Sequence, residues 1–275
     1  MAQELEAGGT DAPGLLHLSA SGIGRLTSCE ERWYLHQTTP ASERNFMKGV
    51  PLLLGTLMHS LLGAWYQGRS WQDEWALCLS QEIGWEEGFE APEHFYRAEA
   101  IMQDWVTLHG DKSPWPMLAV ELPFELPVPG VPGVDVRGFI DGMVAIPVDD
   151  NRMHDRLMLL EFKTMGRWGR ERQVPWDPQL HLYLWAARQM FPVQGVIFEA
   201  VSTYKYKDPS PEKRFKRIEL LYDQRLVDRA VDDLQRASRR GLEILSEPTK
   251  AVRSVGDACT WCDFRRRCHT PWELE

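Results

Sequence analysis

Nothing in this sequence supplies a membrane anchor, a disulfide framework or a nucleotide-driven motor. No apolar run approaches the roughly 20 residues that a bilayer-spanning helix needs. The N-terminal stretch carries Glu4, Glu6 and Asp11 and lacks the apolar segment of a secretory leader. Residues 1–17 are therefore expected to be a flexible lead, and the protein to be cytoplasmic, in a prokaryote or a phage-infected host, with no membrane partner. There are only five cysteines, Cys29, Cys78, Cys259, Cys262 and Cys268. An odd number in a reducing compartment argues against disulfides. The phosphate-binding pattern G-x-x-x-x-G-K-[ST] is missing, as are internal repeats and low-complexity tracts. Positive charge is in deficit as well. The formal net charge of −9 argues against nonspecific coating of nucleic acid, though not against a local basic patch.

What remains is a chain able to build a sizeable core. Its 275 residues are 43% hydrophobic, enough for one large domain or two small ones. We read a single domain over 18–275: a helical part at 18–115, a sheet core at 116–221, and a C-terminal helix and tail at 222–275. Apolar periodicity predicts helices over 19–34, 52–65, 71–85 and 93–109, with Leu77, Cys78 and Trp85 on a buried face. Branched and aromatic residues predict strands over 118–128 and 134–146, followed by a turn at Asp149, Asp150 and Asn151. The run LMLLEFK at 157–163 reads as a buried central strand. A loop over 165–177, a helix over 178–190, strands over 195–206 and 214–221, and a long amphipathic helix over 223–245 follow. This order predicts an α/β fold with a mixed central sheet flanked by helices.

Chemistry concentrates around that sheet. Asp141 stands late in one predicted strand, and Glu161 and Lys163 stand two apart on the next, so their side chains share a face. Antiparallel pairing would bring Asp141 beside them. Two carboxylates about 4 Å apart repel by about 4 kcal/mol at an effective dielectric of about 20. A cation between them relieves that cost, and oxygen ligation suits magnesium or manganese. Taken singly, each piece is ordinary. A Glu-x-Lys strand end is more often a surface ion pair, His59 in GTLMH is more often a packed core histidine, and Gln179 and Tyr183 are polar residues one helical turn apart. Glu121, in AVELPF, alternates with apolar neighbours and could face the same cleft.

Together, GTLMH, GFID, EFKT and Q-x-x-x-Y, in this order, resemble the PD-(D/E)xK nuclease superfamily. The likeness is to the branch of RecB- and AddB-type nuclease domains and the CRISPR-associated exonucleases of the fourth Cas family, and it covers residues 18–269. It implies a restriction-endonuclease-like fold. It also implies that His59, Asp141, Glu161 and the carbonyl of Phe162 bind Mg2+ or Mn2+, that Lys163 is the catalytic lysine, and that Gln179 and Tyr183 orient the site and the DNA. Glu121 is a further catalytic candidate.

Cys259, Cys262 and Cys268 form C-x2-C-x5-C, and Cys29 lies far upstream. Their clustering points to a metal, and thiolate ligation suits either zinc or an iron–sulfur cluster. In the family branch just named, one early and three late cysteines with this spacing hold a 4Fe–4S cluster. The resemblance therefore implies a cluster that joins the N- and C-terminal segments. Cys78 fits no ligand pattern and reads as core.

Arg167, Arg170 and Arg172 follow the catalytic strand, with Trp168 and Trp176 between and beyond them. They suggest a phosphate track with stacking platforms for DNA. Arg214, Lys216 and Arg217 extend the basic character to the next hairpin. The expected activity is a metal-dependent deoxyribonuclease, an exonuclease on single-stranded DNA or DNA ends, serving recombination, repair or phage DNA metabolism. Without a motor of its own it would rely on a helicase or recombination partner to open a duplex. The competing readings are a DNA-trimming factor of CRISPR adaptation and a noncatalytic DNA-end-binding module.

Overall fold

The computed structural model describes residues 15–40, 43, 50–83, 92–148, 155–166, 168–204 and 210–269. The expected turn at Asp149–Asn151 lies outside them, as does Arg167. The chain forms two compact units. One gathers residues 1–47, 123–138 and 225–275; the other comprises 48–122 and 139–224.

The second unit holds most of the mixed sheet. Its strands are β2 (Met117–Pro127) and β3 (Val134–Ile146), whose far ends belong to the first unit, with β4 (Arg156–Met165), β5 (Gly195–Ser202) and β6 (Phe215–Leu221). β2 pairs with β3, and the order continues β3-β4-β5-β6. β3 and β4 are antiparallel, β4 and β5 parallel, and β5 and β6 antiparallel. Every residue of β5 is buried, as the near-continuous apolar run GVIFEAVS requires of a strand covered on both faces. Helices α3 (Val50–Tyr66), α4 (Trp71–Ile83), α5 (Glu93–His109) and α6 (Pro178–Arg188) complete this unit. Trp65 and Trp105 meet edge to face at 5.4 Å, and with Met58, Leu61, Ile101 and Met102 they pack over Phe162 and Ile197 of the sheet. Leu77, expected on the buried face of α4, is half exposed, whereas Cys78 packs against the core.

One buried polar group interrupts this core. Glu199 on β5 is 1% exposed. It accepts hydrogen bonds from the Tyr66 hydroxyl at 2.8 Å and from Arg217 Nε at 2.6 Å, and the guanidinium of Arg217 lies over the Trp115 ring. Burial pushes the Glu199 carboxyl up, while Arg217 and Tyr66 pull it down less strongly. A partnered buried charge costs far less than an isolated one. This commitment removes Arg217 from the expected phosphate track. Arg214 is removed likewise, by its ion pair with Asp104.

In the first unit, β1 (Leu16–Leu18) runs parallel to the start of β3, with His17 opposite Asp135. A strand here replaces the end of the expected flexible lead. The helix expected over 19–34 is two helices, α1 (Ala20–Ser28) and α2 (Glu30–Thr38). Ser19 caps the first by accepting from the Gly22 N–H. Cys29 separates them in an extended conformation (φ −162°, ψ 109°). The long helix α7 (Gln224–Ser246) buries Val227, Ala230, Leu234, Ala237, Gly241 and Ile244, a stripe with helical period. Gly241 lets it approach closely, since a Cβ there would meet the Trp33 ring at 3.1 Å. Arg240 of α7 donates to both carboxylate oxygens of Glu30, at 2.8 and 2.7 Å. The Val252 N–H also donates to Glu30, which ties α2, α7 and the start of the tail at one carboxylate. The described part of the tail holds a 3-10 turn, Asp257–Trp261, and the short helix α8 (Arg265–His269).

Close packing at the start of β5 yields a test of the sheet. A Cβ on Gly195 would lie 2.1 Å from the Leu220 carbonyl oxygen and 2.7 Å from the Met158 side chain. Gly195→Ala should lower stability by about 1–3 kcal/mol in a urea titration. An unchanged midpoint would mean that β5 and β6 are not packed in this way.

Candidate functional site

The site lies wholly in the second unit and begins where β3 and β4 stop pairing. Their ladder runs from Ile146↔Arg156 to Gly142↔Leu160. The next residue of β3, Asp141, uses its side chain instead: Oδ2 accepts the Phe162 N–H at 2.7 Å. This hydrogen bond fixes the Asp141 carboxylate against β4, on which Glu161 and Lys163 stand two residues apart. The juxtaposition expected from strand periodicity is therefore present.

Helix α3 brings the third group. His59 Nδ1 lies 3.3 Å from Asp141 Oδ1, and the imidazole meets the Phe162 ring edge to face at 6.0 Å. Gly55, one turn earlier, makes this approach feasible. A Cβ at Gly55 would sit 3.1 Å from the Thr164 hydroxyl of β4, tighter than most side-chain packing tolerates. The glycine and histidine of GTLMH thus serve one contact, the first by allowing the helix in and the second by reaching the carboxylate.

Helix α6 supplies the fourth element. Asp177 caps it by accepting the Gln179 N–H at 2.9 Å, and Pro178 occupies its first position. The Gln179 side chain connects the remaining groups. Its Oε1 accepts from Lys163 Nζ at 3.1 Å, and its Nε2 donates to Glu161 Oε1 at 2.9 Å and to the Tyr183 hydroxyl at 3.1 Å. Lys163 Nζ itself stands 3.8 Å from Glu161 Oε1. Asp177 was not anticipated as part of this site, although an aspartate before a helix-opening proline is a readable cap.

The electrostatics are unbalanced. Burial first, and the Asp141 carboxylate second, hold the Glu161 carboxyl well above the usual carboxylate range, against the pull of Lys163. Burial works against a charged His59 and Lys163 opposes it too, but Asp141 and Glu121 outweigh them and raise the imidazole. Burial, with Glu161 and Asp141 nearby, keeps the Tyr183 phenol protonated. Glu161 Oε2 is buried with no hydrogen-bond partner among the described residues. That orphan oxygen, with the Asp141 carboxylate nearby and His59 paired to Asp141, offers donors of the kind that hold a divalent cation.

Glu121 is exposed on β2, at φ +46°, the one non-glycine residue with positive φ among those described. Its charge reaches His59. Such backbone strain collects at functional positions. Of the expected DNA-contacting residues, Arg172 is exposed and Trp168 is half-buried. The Trp168 indole N–H donates to the Lys213 carbonyl at 2.9 Å, and Lys216 Nζ lies over its ring. Trp176, at the end of the 3-10 turn Arg170–Trp176 that replaces part of the expected loop, is 69% exposed.

The four cysteines of the expected cluster all belong to the first unit and are half-buried. Burial raises the Cys268 thiol, and the proximity of Glu31, Cys262 and Cys29 adds to this while Arg253 opposes it. Among the described residues, no three of their sulfurs lie within 4.8 Å of one another. The tail is nevertheless held against α2: Arg32 pairs with Asp263 at 3.5 Å, and Arg267 donates to the Thr39 hydroxyl at 3.1 Å.

No functionally curated protein matches this chain. Among solved structures, a candidate exonuclease from Eubacterium rectale shares 13% identity at a TM-score of 0.55, covering 89% of this chain and 87% of its own. At that identity the likeness shows the fold alone. Weaker similarity extends to an alkaline exonuclease from Laribacter hongkongensis, with 12% identity, a TM-score of 0.32 and coverage of 70% and 92%. A phage-related exonuclease from Haemophilus somnus has 12% identity, a TM-score of 0.34 and coverage of 69% and 94%. The sequence model of the PD-(D/E)XK nuclease superfamily matches residues 17–269. That span takes in His59, Asp141, Glu161, Lys163, Gln179 and Tyr183, and the chain belongs to the PD-(D/E)XK nuclease superfamily.

Proposed function

We propose that this protein is a divalent-metal-dependent deoxyribonuclease of the RecB/AddB-type, iron–sulfur branch, acting as an exonuclease on single-stranded DNA or DNA ends. The observation that carries this reading is the Gln179-centred set of hydrogen bonds joining Glu161 and Lys163, with Asp141 fixed on the intervening Phe162 N–H and paired with His59. Nucleases of this family use divalent metals. His59, Asp141, Glu161 and the Phe162 carbonyl would hold Mg2+ or Mn2+, and the orphaned Glu161 oxygen supports that assignment. When bound, such a cation supplies polarisation of the phosphodiester and activation of water.

The chain's own residues do the rest. Gln179 Oε1 holds the Lys163 ammonium at the edge of the carboxylate pair, where it can donate to charge developing on the phosphate as water adds and the P–O bond breaks. Gln179 is itself fixed from both sides, by the cap on α6 and by its bond to Glu161. Glu121, exposed on β2, adds negative charge that reaches His59. Arg167, Arg170, Arg172 and Trp168 form the proposed DNA path, with Trp176 as an additional stacking surface.

Anaerobically purified protein incubated with Mn2+ and end-labelled single-stranded DNA should release short products, and Lys163→Ala should release none. Binding without cleavage by the parent protein would favour a noncatalytic end-binding module. Gln179→Ala should lower turnover about 10- to 100-fold with little change in KM, because its side chain holds Lys163 and Glu161 in place; a change confined to KM would place it in substrate binding.

The second part of the proposal is a 4Fe–4S cluster on Cys29, Cys259, Cys262 and Cys268, with zinc as the competing occupant. The support is the C-x2-C-x5-C spacing, the break between α1 and α2 at Cys29, and the electrostatic proximity of Cys268 to Cys29 and Cys262. A cluster there would close a very long loop of chain. Cys262→Ser should remove the visible absorbance and iron content and lower the melting temperature. Retention of both colour and stability would overturn the assignment, and zinc in place of iron would assign the alternative.

A further inference from the structure

The first unit contains a histidine that the proposed nuclease chemistry does not use. His17, in the middle of β1, is 5% exposed. Neither ring nitrogen has a hydrogen-bond partner among the described residues. Buried imidazoles almost always satisfy at least one nitrogen, so this one requires an explanation.

Its surroundings supply one. Asp135 is the register partner of His17 across the parallel β1–β3 pair, which places both side chains on one face of the sheet. Glu125, on β2, brings Oε1 to 3.4 Å from His17 Nδ1. One ligand atom from each of the three lies within 4.8 Å of the others. Two ligands about 2.1 Å from a tetrahedral ion are about 3.4 Å apart, so the His17–Glu125 separation already matches a metal-bridged pair. Asp135 is half-buried and the Glu125 side chain is 56% exposed. The open side therefore offers an entry path and room for a water ligand.

We propose that His17, Glu125 and Asp135 form a second divalent-cation site, able to take zinc and structural in role. The site shares no residue with His59, Asp141 and Glu161. One imidazole nitrogen with two carboxylate oxygens is a donor set that zinc accepts in tetrahedral geometry. Three strands meet at these residues, and β1 is only three residues long. A bound cation cross-links that short strand to β2 and β3 and satisfies the buried imidazole.

The test measures zinc binding to the full-length protein with its cysteine site loaded, by equilibrium dialysis against zinc followed by elemental analysis. Glu125→Gln and Asp135→Asn, singly and together, are preferred to His17 variants because their side chains are more exposed. The expected result is the loss of one zinc equivalent per chain in the double variant, while Glu161→Gln retains that equivalent. Zinc should raise the melting temperature of the parent by more than it raises that of the double variant. With cobalt as the probe, the equivalent lost should show ligand-field bands without thiolate charge transfer, which separates it from the cysteines. Equal zinc content in parent and double variant, or a missing equivalent that carries thiolate bands, would overturn the proposal. His17 would then be part of an ordinary histidine–carboxylate pair.

Discussion

The candidate active site depends on one hydrogen bond, the donation of the Phe162 N–H to Asp141 where the β3–β4 ladder ends. Two negatively charged side chains on adjacent strands would ordinarily separate. Here the backbone of one strand holds the carboxylate of the other, so Asp141 cannot withdraw without leaving a buried amide unpaired. Glu161 is then confined between that carboxylate and Gln179, in a protein interior that disfavours its charge. Lys163, His59 and Gln179 gather around this confined charge, and their positions follow from it.

The first unit applies the same device to a different purpose. Glu30 receives both arms of Arg240 and the Val252 N–H, and the Arg240 bonds lead the causes that hold its carboxyl below the usual range. Exposed ion pairs contribute little individually, but a bidentate arginine pair with an added backbone bond defines geometry as well as energy. The result is that α2, whose first residue follows Cys29, and the segment leading to the late cysteines are held at one point. Glu199 plays the corresponding part inside the second unit, where Tyr66 and Arg217 converge on it from α3 and β6.

Much of this was legible in the sequence, for local reasons. Strand periodicity placed Glu161 and Lys163 on one face, and helical periodicity placed Gly55 with His59 and Gln179 with Tyr183. Helix α5 and strand β3 fall at their expected boundaries, because both have long, uniform apolar patterns. The features that were not legible involve partners distant in sequence. Periodicity carries through Cys29 without interruption, so the break there is invisible until α1 and α2 are packed. The basic residues of the β6 hairpin look equivalent on paper, yet Arg217 and Arg214 are committed to Glu199 and Asp104, which lie on other elements. His17 appeared to belong to a mobile lead because three apolar-flanked residues are too few to signal a strand without knowledge of β3.

Glu121 carries a consequence of a different kind. A glycine at that position would relax the positive backbone angle and stabilise the strand locally. It would also delete the carboxylate whose field reaches His59. Fold durability and site chemistry therefore make opposing demands on one codon. Any search for hardier variants of this protein that screens on melting temperature alone would be drawn to this position and would erode the site while it improved the scaffold.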